Sequence, residues 1–140
     1  KSILKSRIDD LLEKISLNSA PDRKVKTYSG GMVRRINTIV AVISSAEIVF
    51  LDEPTVAMDP QSRHSVWDFI MSLKKDGKTV ILTTHYIEEA DFLCDRVGII
   101  DTGKLIELGN PKMLKEKHSA QTLEDVFIQL TGKRIREESM

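Results

Sequence analysis

Two adjacent carboxylates, Asp52 and Glu53, close the apolar run Ile48-Val49-Phe50-Leu51 and stand directly before Pro54. An apolar strand that releases acids at its carboxyl end puts them where ligands gather in open α/β sheets, a setting for metal and water chemistry. Neighbours on a strand point to opposite faces, so the two acids are expected to have different tasks. Upstream, Ser29-Gly30-Gly31 precedes a helical pattern. Unpaired amides and the helix dipole favour an anion there, the hydroxyl adds a donor, and two glycines let the anion come close. Downstream, His85 ends a second apolar strand one β-α unit after Glu53, which would place both in one crevice. Each piece alone has a plainer use: Ser29 as a helix cap, the acids as a turn, a lone histidine as structure.

Those residues need elements to hold them. From about Ser6 to Leu17, the residues Ile8, Leu11, Leu12 and Ile15 recur at helical spacing. Residues 18–27 are polar, contain Pro21-Asp22 and read as a loop. Ser29 caps a helix expected to bury Val33, Ile36, Val40 and Ile43, and residues 47–51 read as a buried parallel strand. Asp59-Pro60 opens a helix with Val66, Phe69, Ile70 and Leu73 inward, ending at Gly77. Thr79 to Thr83 reads as a second buried strand and Ile87 to Cys94 as a helix with Cys94 on its apolar side. Val97 to Ile100 and Lys104 to Leu108 form a hairpin around Asp101-Thr102-Gly103. Asn110-Pro111 starts a short helix, and Thr122 with Asp125 makes a capping box for a last one.

Strand and helix alternate through the middle, so the fold class is α/β with a mainly parallel sheet and flanking helices. The organisation expected is a helical part over residues 1–45, an α/β core over 46–109 and terminal helices over 110–140. Gly77-Lys78-Thr79 imitates the end of a phosphate-binding loop, yet it lies between a helix and a strand in the wrong order, with Ser72 where the first glycine belongs. It reads as a helix C-cap. His64 and His118 sit among polar neighbours in helical stretches and are expected to be exposed.

Composition narrows the classes. With 140 residues, 41% apolar and 30% charged, the chain is one ordinary globular domain's worth. Its 21 basic and 21 acidic residues cancel, which argues against a nucleic-acid or anionic-membrane surface. Cys94 is alone, so no internal disulfide forms and a reducing, cytoplasmic setting follows. No apolar run nears the roughly 20 residues that cross a bilayer, and the first ten residues are not a signal peptide. Direct membrane insertion is not expected; any membrane link would come through a partner.

Four stretches stand in order: Tyr28-Ser29-Gly30-Gly31-Met32, Ile48 to Pro54, Ala57-Met58-Asp59-Pro60 and Thr83-Thr84-His85. In order and spacing they resemble the signature motif, Walker B strand, D-loop and switch histidine of the ATP-binding domain of ABC transporters. Thr83 to Ala90, Leu93 to Arg96, Thr122 to Phe127 and Leu130-Thr131-Gly132 are similar to the drug-export, daunorubicin-resistance-like subunits of that family. The resemblance implies a partial P-loop NTPase fold, ATP and Mg²⁺ as ligands, and ATP hydrolysis. By resemblance Asp52 helps hold Mg²⁺ through its water shell, and Glu53 polarises the attacking water. Ser29, Gly30, Gly31 and Met32 meet the γ-phosphate of ATP on the opposite subunit, His85 senses that phosphate, and Asp59 communicates across the dimer.

The chain departs from the family pattern in places. Tyr28 and Met32 replace Leu and Gln in the signature, drug exporters sharing the Met, and Ala57-Met58 replaces Gly-Leu before Asp59. The partners implied are a second ATP-binding subunit in a head-to-tail dimer and a membrane-spanning permease, with no nucleic acid. The implied location is cytoplasmic, peripheral to the cell membrane through the permease. The phosphate-cradling Walker A loop is absent and the chain opens with Lys1, so it reads as a fragment, expected to be inactive alone. Rival readings are a non-transport ABC ATPase of the DNA-repair or chromosome type, and a non-catalytic regulatory domain. The first places a long coiled coil before the signature helix, where only one short helix is visible here; the second sits poorly with an intact Glu53 and His85.

Overall fold

A computed structural model describes residues 2–17, 24–43 and 46–132, which form two compact units, residues 1–83 and 84–140. The first unit holds helix α1 (Ser2–Lys14), a 3-10 turn at Val25–Thr27, helix α2 (Gly30–Ile43), strand β1 (Ile48–Asp52), helix α3 (Pro60–Lys75) and strand β2 (Thr79–Thr83). Pro21 and Asp22 of the expected loop lie outside the described residues. Helix α1 stops earlier than expected: Ser16 takes a positive φ of 56°, and Ile15 and Leu17 are buried from the turn beyond the helix.

Helix α3 matches its sequence pattern. The Asp59 side chain accepts from the Ser62 amide at 2.9 Å and Pro60 supplies the first helical φ without needing a donor. Val66, Phe69, Ile70 and Leu73 are buried, and Trp67 joins them. At its far end Gly77, with φ 79°, donates to the Lys74 carbonyl while Lys78 donates to Leu73, the paired closure that a left-handed glycine permits. Gly77-Lys78-Thr79 is a helix stop, as its order in the sequence implies.

Helix α2 corrects the expected face. Thr38, Ile39 and Val42 are buried, whereas Val40 is 62% exposed. The helix is set by what its inner face must satisfy. The Arg35 guanidinium donates to the carbonyls of Ile15 and Ser16 at 3.0 and 3.1 Å, drawing the 35-38-39-42 stripe inward. Thr38 tolerates burial because its hydroxyl donates to the Arg34 carbonyl one turn back at 3.2 Å.

Strands β1 and β2 pair in parallel, from Ile48 opposite Thr79 to Asp52 opposite Thr83. They are buried on one face only, which corrects the expectation of buried strands. Val49 and Leu51 face inward, α2 packs against β1, and α3 packs against β2. Ile48, Phe50 and Ile81 point to the other face and are 54%, 70% and 47% exposed, because no described element of this unit covers it.

The second unit holds helix α4 (Ile87–Leu93), strands β3 (Val97–Asp101) and β4 (Lys104–Gly109), helix α5 (Pro111–Lys117) and helix α6 (Leu123–Thr131). The strands pair antiparallel through a two-residue turn whose Thr102 and Gly103 both have positive φ, 47° and 76°. That handedness matches the twist of a hairpin. Ala90, Ile99, Leu114, Leu123 and Val126 form the core, with Cys94 packed at its edge just past the end of α4 and only half-buried. Among the described residues no helix is long and apolar enough to cross a membrane.

Candidate functional site

At the start of α2, Ser29 is exposed and its hydroxyl oxygen accepts from the Met32 amide at 3.3 Å, while its carbonyl accepts from Val33 at 3.0 Å. It is the N-cap the sequence called for. Neither following glycine is required by space. A Cβ on Gly30 would meet nothing within 4 Å, and one on Gly31 would meet only the Met58 Cγ, at 3.9 Å. Nor does either take a positive φ. Their bare backbones therefore serve no demand of folding visible in this unit, although glycine is a poor helix former by about 1 kcal/mol. The same contact brings the Ala57-Met58-Asp59 loop to the first turn of α2, with the Met58 side chain buried there.

Strand β1 ends on Asp52, whose exposed carboxylate accepts at Oδ1 a hydrogen bond from the Thr83 hydroxyl across the last rung of the sheet. Glu53 no longer lies on the strand. Its backbone turns left-handed at φ 47°, and its amide donates to the Thr83 carbonyl at 3.0 Å. Glu53 is thus placed by a turn, and strand alternation does not apply to it. A non-glycine residue held left-handed stores about 1–3 kcal/mol and persists only where its surroundings fix it. Here Pro54 and Thr55 are buried, the Val56 amide donates to the Glu53 carbonyl at 3.4 Å, and Met58 donates to Thr55 at 3.2 Å. Ala57 is also left-handed, at φ 58°.

Asp59, next along, is held below the usual carboxylate range by the hydrogen bonds of Ser62, with a smaller contribution from the Arg35 charge. A cleft of about 150 Å³ lies between α2 and the end of β1, lined by Arg34, Asn37, Thr38 and Ala41 on one side and Phe50, Leu51, Asp52 and Pro54 on the other. Among the described residues no cluster of three or more His, Cys, Asp or Glu could hold a metal ion. The exposed Asp52 carboxylate is a hard oxygen donor, the ligand type Mg²⁺ takes singly or in pairs beside its waters and phosphate oxygens.

His85 belongs to the second unit. It is exposed, its ring 4.3 Å from that of Tyr86 and tilted by 39°. The Thr84 hydroxyl accepts from the Tyr86 amide at 3.0 Å, bending the chain toward α4 and leaving His85 at the bend. His64 is exposed, with its ring edge-on to Trp67 at 5.2 Å. His118 departs from expectation. It is half-buried at the end of α5, 3.2 Å from the Glu107 carboxylate, because the β4 strand brings that acid to it. Thr83 and Arg35 were not singled out by sequence: a threonine ending an apolar strand and an arginine in a helix are both common, and only the pairing register and helix packing give them partners.

These elements make up an α/β segment in which two carboxylates follow an apolar run. The ABC transporter family matches residues 3–56. The chain is 43% identical over 133 residues to the linearmycin resistance ATP-binding protein LnrL of Bacillus subtilis (strain 168), covering 95% of this chain and 42% of that protein. It is 42% identical over 119 residues to the daunorubicin/doxorubicin resistance ATP-binding protein DrrA of Streptomyces peucetius, covering 85% and 36%. It is 40% identical over 124 residues to the Nod factor export ATP-binding protein I of Rhizobium sp. (strain N33), covering 89% and 41%. A solved structure described as "Structure of ATP binding subunit of ABC transporter" shares the fold at a TM-score of 0.80 and 20% identity, over 93% of this chain and 55% of that one. The chain is thus similar to ABC transporter ATP-binding proteins, and it spans well under half the length of the curated relatives it matches.

Proposed function

We propose that this chain is part of an ATP-hydrolysing subunit that powers an exporter. The observation that carries this reading is the end of β1, where Asp52 and a left-handed Glu53 are both tied to Thr83. Such stored strain beside a metal-type carboxylate is what a site for water attack on a phosphate would keep. Export is supported by relatives named for drug resistance and Nod factor export.

In this reading the helical part is residues 1–45, and the core from 46 to 109 carries the chemistry. The Ser29 hydroxyl and the first amides of α2 bind the γ-phosphate of ATP held by the opposite subunit of a head-to-tail dimer. Asp52 is the residue that would hold Mg²⁺, and the ion would neutralise charge on the phosphates. The Glu53 carboxylate orients the attacking water and accepts its proton. His85 donates a hydrogen bond to the γ-phosphate, and Asp59 holds the loop at the subunit junction. A membrane-spanning permease would take up the motion of closure, placing the subunit on the cytoplasmic side of the membrane.

The test is Glu53→Gln in the complete subunit. The amide keeps the shape but cannot accept a proton, so turnover should fall by about 10²–10⁴-fold while ATP binding persists. Retention of more than about a tenth of the wild-type rate would remove Glu53 from this role.

A further inference from the structure

We propose that Thr83 is a positioning residue that sets the Asp52 carboxylate for the metal's water shell; this rests on the reading of Asp52 given above. Two bonds from one residue reach both acids. The Thr83 hydroxyl donates to Asp52 Oδ1, and its carbonyl accepts the Glu53 amide at 3.0 Å. The parallel register makes this possible by putting Thr83 directly opposite Asp52 on the last rung.

The side chain does not serve packing. Thr83 is exposed, on the same uncovered face as Ile81 and Phe50, where a hydroxyl would otherwise bond to water. An exposed aspartate samples several rotamers, and a charge-assisted hydrogen bond selects one. Threonine suits the task because its branched Cβ restricts χ1, so the donor comes with its direction largely set. With Oδ1 held, the second carboxylate oxygen keeps its own acceptor sites. Thr83 thus acts through Asp52, as outer-shell partners of metal ligands do, and losing such a partner typically weakens metal affinity by 10–100-fold.

The experiment measures Mn²⁺ binding, by electron paramagnetic resonance, to the complete subunit holding a non-hydrolysable ATP analogue. Thr83→Val keeps the shape and the strand preference but removes the donor. It should raise the Mn²⁺ dissociation constant about 10-fold or more, with the metal-free thermal midpoint unchanged. Thr83→Ser, which restores the hydroxyl, should recover most of the affinity. Wild-type affinity in Thr83→Val, with Asp52→Asn weakened, would overturn the role of Thr83 and leave that of Asp52 standing. Wild-type affinity in Asp52→Asn would overturn the metal reading of Asp52 and this proposal with it. A metal-free midpoint that falls in Thr83→Val and is not restored by Ser would make Thr83 a structural residue, also overturning it.

Discussion

Helices α2 and α6 both begin on a hydroxyl residue, and they are finished differently. At α6, Thr122 accepts from the Asp125 amide at 3.0 Å, and Asp125 answers with its carboxylate on the Thr122 amide at 2.9 Å and hydroxyl at 2.8 Å. Those bonds from Thr122 hold the Asp125 carboxyl below its usual range. At α2, Ser29 accepts one longer bond of 3.3 Å, no acid stands in the first turn, and two glycines follow. Stability favours the first design. The second gives up helix propensity and leaves bare amides beside an exposed hydroxyl, the arrangement that the proposed phosphate contact would use.

Exchanging the roles of the two starts would break this contrast. On the proposed reading Ser29→Arg puts a bulky cation at the γ-phosphate contact, and turnover of the complete subunit should fall by on the order of 10²-fold or more, as when a donor to developing charge is lost. Its ATP binding should stay close to wild type, and loss of the cap should cost about 0.5–2 kcal/mol of stability, too little to account for the lost turnover. Mixed with chains whose Walker A lysine is replaced, it should regain activity in verified heterodimers, since one shared site would then carry neither lesion. Activity unchanged in Ser29→Arg would reduce α2's start to an ordinary cap.

Thr122→Ala should do the opposite, lowering unfolding stability by about 0.5–2 kcal/mol in a denaturant titration while turnover per folded molecule is unchanged. A variant that unfolds at the wild-type midpoint would show that the box at α6 contributes no more than the single bond at α2.

The smallest effect sharpens the contrast between the units. Glu107 is held from 4.5 down to about 2, first by the Lys117 ammonium at 2.6 Å and then by His118. A carboxyl depressed on folding adds stability that is present above its ordinary value and lost as pH falls through its folded one. The difference in thermal midpoint between wild type and Glu107→Gln should therefore be full near neutrality and shrink between pH 4.5 and about 2. A difference independent of pH would mean that these neighbours do not stabilise the ionised form.

Much of this was legible in the sequence, and what was legible was local. Asp59-Pro60, Gly77, Asn110-Pro111 and the pair Thr122 and Asp125 each act within about one helical turn, so the chain states them directly. Asp52 and Glu53 announced themselves as acids behind an apolar run. What sequence misplaced depends on distant partners. The inner face of α2 follows from Arg35 reaching carbonyls 20 residues away, so an apolar count chose Val40 wrongly. The single covered face of β1 could not be seen in an unbroken apolar run, since periodicity does not say which faces receive a helix.

The end of β1 divides the same way. Sequence alone determined that two acids follow an apolar run and that a threonine ends the next strand, because residue types and short-range pattern are written in the chain. Tertiary structure decided that Thr83 bonds Asp52 across 31 residues and that Glu53 leaves the strand left-handed. Register and backbone handedness are chosen by the packing of whole elements, and no window of neighbouring residues contains that information.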